Sequence, residues 1–148
     1  EREACDAVGI TLINHRAYSR EAPSPGFINE LDRLFQEIAY PAVMHCKSGA
    51  DRAGLGAFLY MFLRMEAPLA EAREQLSLRY GHIRSGPTGV LDHFVDTYEE
   101  AAAREGEKPG RDHFLAWVNG PYDQDAVKKG FKPKALGSLV TETLLRRE

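Results

Sequence analysis

The stretch Pro41-Ala42-Val43-Met44-His45-Cys46-Lys47-Ser48-Gly49-Ala50-Asp51-Arg52-Ala53-Gly54 governs how the rest of this 148-residue chain is read. Its first five residues form an apolar run that is too short for a helix and lies between a proline and a glycine-bearing loop, so the pattern predicts a buried strand. From Arg52 to Met65, residues Leu55, Phe58, Leu59, Phe62 and Leu63 recur at the helical period. Cys46 to Asp51 therefore bridges a strand end and a helix start. At such a junction, backbone N–H groups and the positive end of the helix dipole together make a ready site for an anion.

The residue types in that junction suit phosphate chemistry. Gly49 lets the backbone curl tightly, so that the N–H groups of Lys47, Ser48, Gly49 and Ala50 point inward at a phosphate. Arg52, at the helix start, can lay a planar fork against two phosphate oxygens, which the point charge of a lysine cannot do. The same donors favour a thiolate at Cys46, the form in which cysteine is a nucleophile. Attack of that thiolate on phosphorus leads to a cysteinyl-phosphate, inside a cradle matched to the charge of the transition state. The competing reading of Cys46 is a structural cysteine at a strand end; the coincidence with His45, Gly49 and Arg52 argues against it. His45 reads as a supporting residue that braces the loop. Lys47 adds positive potential for polyanionic substrates or is simply solvated.

His45-Cys46, Gly49 and Arg52 match the HCxxGxxR signature, and the chain thereby resembles the protein tyrosine phosphatase superfamily in its small dual-specificity branch. It is similar in particular to bacterial members whose loop reads HCKSGADR, and Leu76-Ser77-Leu78-Arg79-Tyr80-Gly81-His82-Ile83 and Thr88-Gly89-Val90-Leu91-Asp92 extend the likeness. The resemblance implies an α/β fold over residues 1–125, with a small central sheet flanked by helices and the loop at the C-terminal end of a strand. It further implies cysteine-dependent hydrolysis of phosphomonoesters on protein, lipid or sugar, without metal or cofactor. Three departures stand out. The family begins with further strands ahead of the segment that opens this chain, Ala53 occupies a position that often holds Ser or Thr, and Tyr18-Ser19-Arg20-Glu21-Ala22-Pro23 lacks the usual mobile-loop aspartate. Some superfamily members are thought to use an aspartate immediately before the arginine as the acid, which makes Asp51 the first candidate here and Glu21 the second.

Outside the loop the patterning is mostly helical. Residues Glu3 to Val8 read as a helix end stopped by Gly9, followed by a short strand over Ile10 to Asn14. Ser24-Pro25 reads as an N-cap with proline at the first helical position, opening an amphipathic helix to Ala39. Further helices are expected from Pro68 to about Tyr80, along Val90 to Tyr98, and over Phe114 to Val118. Arg79, His82 and Arg84 read as a solvated helix end, with a place at the rim of the site as the alternative.

The composition is that of an ordinary globular chain, with 43% hydrophobic and 28% charged residues, and a net charge of −3 gives no bias toward nucleic acid. Cys5 and Cys46 have neither disulfide-framework nor zinc-ligand spacing, which fits reduced thiols and a cytoplasmic address. Cys5 reads as core packing, with a redox partner for Cys46 as the alternative. No apolar run is long enough to span a membrane, and Glu1-Arg2-Glu3 is not a signal peptide. The chain opens without Met and reads as a fragment. Residues 126–148 read as an appended basic tail; from 128 onward it holds six Lys/Arg against two Asp/Glu, which reads as a solvated or disordered segment, with membrane association through it as the alternative.

Overall fold

The computed structural model describes residues 1–133. Helix α1 (Arg2–Ala7) ends at Gly9, which takes the left-handed conformation at φ 72°. Helix α2 (Pro25–Glu37) begins as its sequence dictates: Ser24 accepts a hydrogen bond from the Phe27 N–H through its hydroxyl, and Pro25 takes the first helical position, where its missing N–H costs nothing. Its apolar stripe, Ile28, Leu31 and Phe35, is buried. Helix α3 (Asp51–Leu59) continues into one π-helical turn over Tyr60–Arg64, closed by a bond from the Met65 N–H to the Tyr60 carbonyl. Then follow α4 (Leu69–Arg73), two short 3₁₀ turns (Leu78–Tyr80 and Pro87–Gly89), α5 (Val90–Glu105), α6 (Arg111–Asn119) and α7 (Gln124–Gly130).

The core forms around α5. Phe94 and Tyr98 are fully buried on its inner face and meet Phe62 from the π turn and Phe114 and Trp117 from α6, mostly edge to face; the Tyr98 and Phe114 ring centroids lie 4.8 Å apart. Such aromatic pairs add about 0.5–1.5 kcal/mol each to the hydrophobic gain. The Tyr98 hydroxyl is satisfied inside the core by both polar groups of the Gly110 backbone. Helix α7 packs on α5, and the segment before α2 is tied to this end of the molecule. There the Tyr122 hydroxyl donates to the Pro23 carbonyl, and the Gln124 amide donates to that of Ala22.

The expected α/β architecture, with a small central sheet, is not what forms: among the described residues there is no strand, and the fold is helical. Ile10–Asn14 and Pro41–His45 run without regular structure, and the N–H groups of residues 11–14 and 42–45 donate no backbone hydrogen bond among the described residues. A helix satisfies its backbone from within, whereas a strand exists only with a neighbour to complete its ladder. Without one, the apolar side chains face outward: Val43 is 92% exposed and Ile10 58%. The helix expected from Pro68 to Tyr80 also stops early, at Arg73. Its continuation becomes turns, with Gly81 left-handed at φ 82°. The apolar positions Leu136, Leu139, Val140 and Leu144 of the basic tail lie outside the described residues.

Candidate functional site

The loop from Cys46 to Ala50 leads directly into α3, with Gly49 at φ 75°, a conformation in which a side chain would be strained. Behind the loop Met44 anchors the incoming chain, its thioether lying so close to α3 that a Cβ at Gly56 would collide with it. Ala50 occupies the cap position, 1% exposed, and offers no side-chain cap to the first N–H groups of the helix. Such uncapped donors, next to the positive end of the helix dipole, suit a negatively charged group. Cys46 is a free, half-buried thiol, and Arg52, half-buried, holds the second position of α3. Lys47, Ser48 and Gly49 are exposed along the loop.

The remaining sequence-derived candidates have definite partners. His45 Nε2 donates to Glu1 Oε1 at 2.6 Å, an exposed pair that braces the loop entry against the start of α1. Glu21 pairs with Lys128 of α7 at 2.7 Å. Asp51, only 5% exposed, turns its carboxylate inward and accepts a hydrogen bond from His82 Nδ1 at 2.7 Å. Thus each residue considered as the acid is engaged by a cationic partner.

His82 departs from its expected place at a solvated helix end: its side chain is completely buried. The left-handed turn at Gly81 and a bond from the His82 N–H to the Ser77 carbonyl aim its ring inward. Its Nε2 donates to Asp92 Oδ2 at 2.6 Å, in the first turn of α5. Burial disfavours the imidazolium, but the hydrogen bonds to Asp51 and Asp92, together with their charges, outweigh it and raise the pKa to about 9. Asp51 and His82 are 31 residues apart, so no local spacing in the sequence announces their pairing. His82 and Asp92 also line an open groove of about 690 Å³, beside which Arg73 and Arg84 both pair with Asp96.

Among the described residues no group of three or more His, Cys, Asp and Glu is arranged to hold a metal ion. No helix among them is long and apolar enough to cross a membrane. Comparison with protein-family models, with curated proteins and with solved structures gives no match, so the residues of the site alone carry its interpretation.

Proposed function

We propose that this protein is a cysteine-dependent phosphatase that hydrolyses phosphomonoesters through a cysteinyl-phosphate, in the manner of the protein tyrosine phosphatase superfamily its loop resembles. The observation that carries the reading is the junction itself: Cys46 and Arg52, six positions apart, flank a loop with left-handed Gly49 that opens onto an uncapped helix start. In this mechanism the Cys46 thiolate attacks phosphorus and the bond to the leaving oxygen breaks, while Arg52 and the loop N–H groups hold the equatorial oxygens. The leaving oxygen takes a proton from Asp51, with Glu21 as the alternative donor; either must first be protonated and freed from the cation it pairs with in the structure. Water then attacks the phosphocysteine and gives a proton to the carboxylate left by the first step, releasing inorganic phosphate and restoring both the thiolate and the acid.

The substrate is a phosphate group on a protein, lipid or sugar. A reducing, cytoplasmic setting suits a mechanism that needs a free thiolate. The engagement of Asp51 by His82 favours one rival reading, a phosphate-binding module without turnover. Rapid-quench kinetics with an aryl phosphate separate the two: a burst of phenol matching the enzyme concentration, lost in Cys46→Ser, is expected. Saturable phosphate binding with neither burst nor turnover would establish the binding module instead. Asp51→Asn with full activity on a poor leaving group would remove Asp51 from the acid role.

A further inference from the structure

The imidazole of His82 lies wholly inside the protein between carboxylates from two different helices, Asp51 at the first position of α3 and Asp92 in the first turn of α5. The phosphatase chemistry proposed above leaves His82 and Asp92 without a task, yet one end of this hydrogen-bonded chain is the residue just before Arg52. A neutral imidazole carries a single N–H and presents a lone pair at its other nitrogen. It can therefore serve one carboxylate only. Contacts of 2.7 and 2.6 Å to both at once call for the imidazolium, which donates from both nitrogens.

Among the described residues, His82 is a cation hydrogen-bonded to both carboxylates. Of the other charged groups lining the adjoining groove, Arg73 of α4 and Arg84 both pair with Asp96 of α5, and Glu74 and the exposed Lys132 complete the set. His93 of α5, also along the groove, packs its ring against Phe131.

We infer that His82 is a positioning residue for the Cys46 loop: as an imidazolium it ties Asp51, and with it the start of α3 and Arg52, to the start of α5, and losing its proton unties that joint. The functional half of this inference rests on reading the loop as a phosphate cradle. The tie itself is independent of that reading. An arginine that must meet two phosphate oxygens tolerates little displacement, since a shift of about 1 Å in a catalytic group can lower the rate on the order of 10²-fold. His82 touches no substrate; it acts through Asp51.

The test uses the full chain in two measurements. Hydrogen exchange, corrected for intrinsic pH dependence, is followed in peptides covering residues 46–58, with α6 as an internal reference, between pH 6 and 10. In the wild type the loop peptide should lose protection as pH rises through about 9, where His82 gives up its proton, while α6 keeps its own. His82→Asn should expose the loop peptide at least about tenfold already at pH 7 and lower kcat/KM for an aryl phosphate on the order of 10²-fold, and adding Asp51→Asn should expose the loop peptide no further. Asp92→Asn, a gentler change that removes one of the two charges holding the proton, should move the onset of loop exposure to lower pH.

Loop protection with the same pH dependence in the wild type, His82→Asn and Asp92→Asn would overturn the inference. If His82→Asn does not fold, an unshifted onset in Asp92→Asn overturns it alone. The expected exchange pattern in a wild-type protein without turnover would uphold the tie and refute the phosphatase reading, so the two failures are distinguishable.

Discussion

The loop at Cys46–Ala50 and the buried cluster beneath it are built in opposite ways. The loop is short, exposed along Lys47, Ser48 and Gly49, and shaped by neighbours in sequence. The cluster of Asp51, His82 and Asp92 gathers two helices and the segment between them around one fully buried ring, and each of its hydrogen bonds spans ten or more residues. Groups that meet an external anion must be reachable, and reachable groups are poorly held. Groups that hold must be buried, where the low dielectric strengthens each bond. Asp51 belongs to both regions, and through it the cluster can govern a loop it does not itself form.

The contrast breaks most sharply at Cys46. On the proposed mechanism, Cys46→Ser is expected to lower aryl phosphate turnover by at least about 10⁴-fold, because it removes the proposed nucleophile, while thermal unfolding stays within about 0.5 kcal/mol of wild type. Residual turnover near the wild-type rate would show that the loop is not the reacting site. Substitution at the cluster should do the reverse in stability terms. His82→Ala leaves two buried carboxylates facing a void, and denaturant unfolding should show a loss of about 3–5 kcal/mol. A loss below 1 kcal/mol would mean that the cluster is not the clamp its geometry describes.

The cluster should also carry a pH signature that the loop lacks. Because the folded pKa of His82 is raised to about 9 from an unfolded value near 6.5, its contribution is fully present below about pH 6.5 and is lost as pH rises through about 9. Unfolding free energies from denaturant titration at pH 6, 8 and 10 should therefore fall steadily, by an amount on the order of 3 kcal/mol that His82→Asn removes. A flat profile over that range would contradict the bridged imidazolium. The smallest effect belongs to the exposed brace at the loop entry. His45→Ala removes a surface pair with Glu1 and should cost below about 1 kcal/mol in the same unfolding measurement.

The helical part of the fold was legible because helices announce themselves locally. Ser24-Pro25 marked the start of α2, Gly9 marked a stop, and the spacing of Val90, Leu91, Phe94, Val95 and Tyr98 described the buried face of α5. The runs at Ile10–Asn14 and Pro41–His45 misled for the complementary reason: a short apolar run specifies burial without naming the neighbour that would complete a sheet. In the candidate site, the spacing of Cys46, Gly49 and Arg52 was readable because loop and helix start are contiguous. His82 and Asp92 were not, since a polar residue near a glycine turn looks solvated until the fold closes over it.

What the sequence by itself determined is the set of objects whose forces act between near neighbours: the capped and amphipathic helices, the left-handed glycines, and a cysteine-to-arginine loop entering a helix. Only the tertiary structure decided that two apolar runs would find no ladder, that the Asp51 carboxylate would turn inward, and that a histidine would join α3 to α5. Those outcomes depend on which distant groups share the interior, because a buried polar atom must find its partner wherever the folded chain has brought one.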